Sequence, residues 1–372
     1  MKVLYFSYRY DPSKPESGSS VDYEFYNQIK NIASDVVVFN PKLKNGIFYQ
    51  IIKKTYNKIT GRKLLKFGLI NSYQVSRQLK KIIDQESFDI IFTIFPNPLC
   101  FFKSNIPLII NLDTTFIGQQ SQWKINSFIG MLISIWQEKR VFTHARSIIT
   151  FSEWCKRDLE KNYNISSEII YVFPMPAAIP KNKINNVDKN FNISPIRLLI
   201  VAREHYRKGV DIAIKVVKYL NSSGYDSTLT ICGLEGKGNN KIRYVGPFNK
   251  SINSELKDYT NHYKQAHILI HPARFEAAGI TPSEAAAYGT PTITNKIGGL
   301  NTTVKNGISG YVLDNGLDYR EYVNKIIFLH ENPDIYKKLC NTTLERYKIE
   351  LSWEAHKKTI KTIFVNSLEK RI

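Results

Sequence analysis

Cysteine is scarce in this chain: Cys100, Cys155, Cys232 and Cys340 are widely spaced, and no two form a C-x-x-C pair. That pattern offers neither a zinc site nor a disulfide framework, and a reduced, cytoplasmic setting suits it. Long apolar runs are also missing. The stretch 128–136 is among the longest and falls well short of a membrane span. The opening M-K-V-L-Y-F-S-Y is too short an apolar run for a signal peptide and reads as a first strand. No D-x-D motif occurs, so no bound divalent metal is called for. G-x-G-x-x-G is absent too, so there is no dinucleotide fingerprint. Acid is in deficit: 32 Asp and Glu stand against 52 Lys and Arg, a net charge of +20. Such a balance implies an anionic partner. A compositional bias toward Lys, Asn and Ile is the alternative.

The deficit is concentrated in one place. Residues 41–83 hold Lys42, Lys44, Lys53, Lys54, Lys58, Arg62, Lys63, Lys66, Arg77, Lys80 and Lys81, and no Asp or Glu. Phe48, Ile51, Ile52, Tyr56, Ile59, Leu64, Leu65, Phe67 and Leu69 are interleaved at three- and four-residue steps, which predicts amphipathic helices. A basic amphipathic surface attracts anionic lipid; a solvated helix face beside the core is the other reading. Nucleic acid is not expected as a partner, because no recognition motif accompanies the charge.

The rest alternates between short apolar runs and helical periodicity. Strands are expected at 2–8, 35–40, 89–95, 107–112, 147–151, 169–172, 197–202, 228–232, 242–245, 266–270 and 290–294. Continuous apolar runs such as D-I-I-F-T-I-F suit parallel strands buried on both faces. The alternation predicts an α/β chain with two Rossmann-like units. The N-terminal domain is placed at 1–175 and a Pro-, Asn- and Lys-rich linker at 176–195. The C-terminal domain follows at 196–350, with a last basic helix at 351–372. In open α/β sheets ligands bind beyond the carboxyl ends of strands. Gly18, in the S-G-S-S turn after the first strand, and Asp113, just past the strand at 107–112, are therefore acceptor-side candidates. A flexible turn and a helix or turn cap are their respective alternatives.

The most informative stretch is 271–300, H-P-A-R-F-E-A-A-G-I-T-P-S-E-A-A-A-Y-G-T-P-T-I-T-N-K-I-G-G-L. It reads as the end of a strand, a turn carrying Glu276, a helix opening after Gly279, and a second strand. A helix start leaves backbone N–H groups able to hold a phosphate. Glu276 and Glu284 lie eight residues apart. Together with A-R-E-H-Y-R-K-G from Ala202 and N-G-I-S-G-Y-V-L from Asn306, this segment resembles the donor site of retaining glycosyltransferases of family 4, the group 1 glycosyl transferases.

That resemblance covers nearly the whole chain and is most specific between 197 and 310. It implies the GT-B fold, two Rossmann-like domains whose parallel sheets face a central cleft, with the last helix crossing back to the N-terminal domain. It implies a nucleotide-sugar donor and transfer to a glycan or lipid-linked glycan in cell-surface polysaccharide or glycoconjugate biosynthesis; the basic 41–83 stretch motivates a place at the cytoplasmic membrane face. The leaving diphosphate gains negative charge, which Arg203 and Lys208 would meet in place of a metal. Glu276 would contact the donor sugar and Glu284 the ribose, with Gly233, Gly279, Ile280 and Thr281 completing the donor-binding set. Thr281-Pro282-Ser283-Glu284 is also a capping-box pattern, with Pro at the first helical position. The sequence reading expects Glu284→Gln to weaken nucleotide binding more than it lowers the melting temperature.

The chain departs from the family where a His is usual near the end of the 107–112 strand. It has Asn111-Leu112-Asp113 there, and Ala277-Ala278 where Gly-Phe is usual. A soluble small-acceptor transferase or a glycosyl phosphorylase on the same fold is the alternative function. A GT-B subunit without activity is disfavoured by the presence of Arg203, Lys208, Glu276 and Glu284.

Overall fold

The computed structural model describes the chain except residues 9, 16, 44–46, 61–67, 124–127, 180–188, 192–193 and 370–372. The expected basic positions Lys44, Arg62, Lys63 and Lys66, much of the expected linker and the end of the last helix lie outside the described residues. The chain forms two compact units, residues 1–173 with 357–372, and residues 174–356.

The first unit carries six strands: β1 (Lys2–Phe6), β2 (Asp35–Phe39), β3 (Ile90–Thr93), β4 (Leu108–Leu112), β5 (Ala145–Thr150) and β6 (Ile170–Val172). All pair in parallel, in the order β2-β1-β3-β4-β5-β6. β1, β3 and β4 are almost wholly buried, as their largely apolar runs require. The helices are α1 (Val21–Lys30), α2 (Ile47–Thr60), α3 (Leu69–Gln85), α4 (Phe116–Gln122), α5 (Phe128–Phe142) and α6 (Glu153–Tyr163). Val75 and Leu79 of α3, Val141 and Phe142 of α5 and Leu159 of α6 pack with Leu4, Ile91, Ile110 and Ile148 in one core. The sequence pattern did not reveal α4, whose seven residues are held by Thr115, its N-cap, accepting from Gly118 N.

The second unit repeats the plan with β7 (Ile196–Val201), β8 (Ser227–Cys232), β9 (Ile242–Val245), β10 (Ile268–His271), β11 (Thr292–Asn295) and β12 (Gly310–Leu313). These strands are parallel in the order β12-β11-β10-β7-β8-β9. Chain direction across the sheet therefore reverses between β7 and β10, so the loops leaving those two strands diverge and open a crevice between them. The helices are α7 (Val210–Ser222), α8 (Asn253–Gln265), α9 (Ile280–Ala286), α10 (Leu300–Thr303), α11 (Tyr319–Glu331) and α12 (Pro333–Arg346).

The expected linker is tied to this unit at both described ends. Met175 and Ala177 to Ile179 are buried. Ser283 Oγ donates to Met175 O at 2.6 Å, and Ala177 N to Leu351 O at 2.9 Å. Lys189 Nζ donates to the Tyr263, Lys264 and Ala266 carbonyls at 2.7, 2.7 and 2.6 Å, closing the C-terminal end of α8. Phe191 stacks on Tyr336 with ring centroids 4.3 Å apart. The last helix, α13 (Trp353–Glu369), belongs to the first unit from Lys357 onward. There Phe364 lies 5.9 Å from the Phe92 ring, and the Ser147 and Ser367 hydroxyls are 2.9 Å apart.

Candidate active site

The crevice of the second unit is lined by the loop after β7, residues 202–209, and the loop after β10, residues 272–279. Arg274 clamps one to the other. Its guanidinium forks onto the Asp211 carboxylate at 2.7 and 2.8 Å and donates to Tyr206 O at 2.7 Å. It also lies over the Tyr206 ring, 4.1 Å from the centroid, while Arg274 N donates to Arg207 O at 2.8 Å. Gly209 makes the approach possible. It has φ of 69°, and a Cβ there would lie 2.0 Å from the Pro272 carbonyl oxygen. Gly209→Ala is therefore expected to cost at least about 2 kcal/mol of stability, measured by urea unfolding, because neither φ nor backbone can yield cheaply. An unchanged midpoint would contradict this packing.

Held in this way, the two loops bring Glu276 and Lys208 into an ion pair, with side chains 13 % and 12 % exposed. Arg207 Nη1 is 3.8 Å from the same carboxylate oxygen and His271 Nε2 is 3.3 Å from it. The carboxylate can only accept, so Nε2 carries the imidazole proton, and Nδ1 accepts from the Thr281 hydroxyl at 3.2 Å. Burial pushes the Glu276 pKa up, but Lys208 and the His271 bond outweigh it and hold the carboxyl well below its usual range. Burial, then the Lys208 charge, pulls His271 below its ordinary value and keeps it neutral. Arg207 is a residue the sequence reading passed over. Its signal was available, as one more cation inside R-E-H-Y-R-K-G.

Arg203 stands apart from this cluster, exposed on the same loop. Gly233 follows β8 with φ of 98°, and a Cβ there would sit 2.7 Å from the Ala202 carbonyl oxygen, so it lets the ends of β7 and β8 close up. Gly279 has φ of 79° and is the N-cap of α9, with no side chain capping the helix.

The capping-box reading of Glu284 does not survive. Helix α9 starts at Ile280, so Pro282 is its third residue and Glu284 its fifth, too far along to reach back to the N-cap. Glu284 is instead wholly buried. One oxygen pairs with Lys250; the other accepts from the Tyr259 hydroxyl and from the Tyr263 hydroxyl at 2.8 Å. Burial first, then the Glu284 charge, drives both phenols well above their usual range, so they remain donors.

The acceptor-side candidates lie in the first unit. Gly18 falls in the short 3-10 turn Ser17–Ser20 that leads into α1. Below it the buried Asp22 carboxylate accepts from Tyr5 and from Ser17 Oγ at 2.7 Å. Asp113 is exposed just past β4, and the cap of α4 is Thr115 rather than Asp113.

Two all-parallel six-stranded units, one gathering cations and a carboxylate at the reversal point of its sheet, define a two-domain transferase of the GT-B type. Comparison with known proteins gives the family. Residues 182–346 match Glycosyl transferases group 1, and residues 32–177 match Glycosyltransferase Family 4. The chain belongs to these glycosyltransferases. An uncharacterized glycosyltransferase of Methanocaldococcus jannaschii is 28% identical over 301 residues, covering 77% of each chain. Sucrose-phosphate synthase from Thermosynechococcus elongatus superimposes with a TM-score of 0.70 at 14% identity, covering 98% of both chains. Anabaena HepE in complex with UDP-glucose superimposes with a TM-score of 0.65 at 14% identity, covering 99% of both.

Proposed function

We propose that the protein transfers a sugar, with retention of anomeric configuration, from a nucleotide-sugar donor to a glycan or lipid-linked glycan, without a metal. The observation that carries this reading is the Glu276–Lys208 pair at the crevice of the second unit, with Arg207 beside it and Arg203 exposed on the same loop. A carboxylate held anionic next to cations suits a reaction in which the anomeric carbon gains positive charge while the departing diphosphate gains negative charge. The Anabaena neighbour is seen with UDP-glucose, which favours a nucleotide-linked donor. In this reading the backbone of residues 279–281 and the Arg203 and Lys208 side chains, with Arg207 beside them, face the diphosphate, and Glu276 faces the sugar. The basic stretch 41–83 gives the enzyme a place at an anionic membrane face in the cytoplasm, where lipid-linked acceptors of surface polysaccharide are built.

A thermal-shift screen of UDP, GDP, ADP and dTDP sugars tests the donor, since a ligand that binds only the folded state raises the melting point. The nucleotide family that gives a shift should keep it in excess EDTA. Arg203→Ala should weaken that ligand about tenfold or more, the usual scale for a charge-assisted phosphate contact. No shift with any nucleotide sugar, or consumption of inorganic phosphate in place of nucleotide release, would overturn the reading. The anomeric configuration of the product, read by proton NMR, decides retention.

A further inference from the structure

Helix α5 is turned inside out. Its buried side is largely small and polar: Gly130, Ser134, Gln137 and Glu138, with the half-buried Ile135 packed against the core and Val141 and Phe142 buried in it at the last turn. Its outward side carries Phe128, Ile129, Leu132 and Trp136, which are 68%, 57%, 50% and 40% exposed. These positions share one helical face. A surface helix normally buries its apolar face, so the arrangement needs a cause outside the core. The helix cannot relieve it by rolling. Gln137 Nε2 donates to Ser72 Oγ of α3 at 3.1 Å, and the Glu138 carboxylate accepts from Phe116 N at 2.8 Å and from the Tyr163 hydroxyl. These buried ties fix its rotation.

The apolar stripe continues onto a second helix. The Trp136 ring lies 5.6 Å from Phe101, and Phe101 lies 6.4 Å, edge-on, from Tyr73 of α3. Ile70 is one turn before Tyr73, and all three of these added residues are exposed. Cations border the stripe. Arg77, Lys80 and Lys81 follow Tyr73 along the outer side of α3, and Lys103 and Lys139 are exposed. Arg140 lies over the Trp136 ring at 5.2 Å, anchored by Nε to Cys100 O at 2.9 Å. Carboxylates are missing: α3 has none before Asp84, and the acid of α5 is the buried Glu138.

We propose that this α3–α5 face is where the protein lies on a bilayer containing anionic lipid. Phe128, Ile129, Leu132 and Trp136 enter the boundary between headgroups and acyl chains, and the bordering Lys and Arg side chains meet lipid phosphates. The inference rests on the membrane reading of residues 41–83, but it moves the anchor to α5, outside that stretch. Charge selects the occupant. A second copy packed through the same face would set one cationic border against another in a chain of net charge +20. Among the described residues no helix is long and apolar enough to cross a membrane, so the contact is interfacial.

The test is cosedimentation of the full chain with phosphatidylcholine vesicles, with and without phosphatidylglycerol. The wild type should bind the anionic vesicles, and more weakly as salt rises. Phe128→Ser combined with Leu132→Ser should weaken binding at least about tenfold, with the melting temperature and the nucleotide-induced shift unchanged, because both positions are exposed and lie in the first unit. Wild-type and double-variant proteins that bind equally well would overturn the α5 assignment and leave the basic stretch as the anchor. A wild type that ignores anionic vesicles would overturn both. A lipid-free dimer that the double variant converts to monomer would overturn it in favour of self-association. None of these outcomes bears on donor binding, so sugar transfer is tested separately.

Discussion

Replacing Glu276 by Gln is expected to cut turnover at least about a hundredfold, the scale seen when one preorganised charge or donor is removed from a transition state, while the chain stays folded. The residue occupies a loop rather than a helix or strand, and its partners Lys208, His271 and Arg207 all converge on the same oxygen. Several donors on one acceptor exceed what a structural tie needs. Arg274 already fastens the two loops by an independent fork onto Asp211. The measurement is kcat with the donor identified by thermal shift, next to the unfolding midpoint of the same variant. Full turnover in the glutamine variant would remove Glu276 from the chemistry.

The same residue makes a pH prediction whose sign follows from its lowered pKa. A carboxyl held below its unfolded-state value stabilises the fold above that value, and the contribution is lost as pH falls through the lower, folded-state pKa. The wild type should therefore melt above Glu276→Gln near neutrality, and the gap should shrink as the solution is taken below the ordinary glutamate range. Glu276 remains ionised throughout the mildly acidic range, so any loss of activity between pH 5 and 7 has another origin.

What the sequence revealed and what it hid divide along a physical line. Strands buried on both faces write themselves as largely apolar runs, so β1, β3, β4 and β10 were legible from the local pattern alone. Cations beside Gly209 and a carboxylate after β10 were legible as chemistry. Pairings between distant segments were not. Nothing in the local pattern shows that Arg274 belongs to Asp211, or that Lys250 will find Glu284. The unit's closing helices α10 to α12 carry no motif and were not read at all. Helix α5 holds the apolar stretch 128–136 noted in the sequence, yet its orientation was invisible. Its periodicity is the same whichever face is buried, and only the Gln137 and Glu138 ties decide.

At Glu284 the buried partners lead to an expectation opposite to the one the resemblance gave. From the resemblance, Glu284→Gln should impair nucleotide binding more than stability, and T-P-S-E as a capping box would give the reverse. In the folded unit the carboxylate is 0 % exposed and takes Lys250, Tyr259 and Tyr263 as partners. Glutamine keeps one acceptor for the tyrosines but turns an amide donor toward the Lys250 ammonium. The exchange should cost about 2–4 kcal/mol, the range for breaking a buried charged network on one side, seen as a fall in the ligand-free melting temperature. Lys250 is the partner able to move, since its side chain is 23% exposed. Lys250→Met should cost at least as much, because it leaves the wholly buried carboxylate without its counter-charge, with only the two tyrosine hydroxyls donating to it. If Glu284 also holds a ribose, the nucleotide must displace Lys250 to reach it. Donor affinity should then respond to both variants by more than their ligand-free melting temperatures account for. A glutamine variant that melts like the wild type would return Glu284 to a role in ligand binding alone.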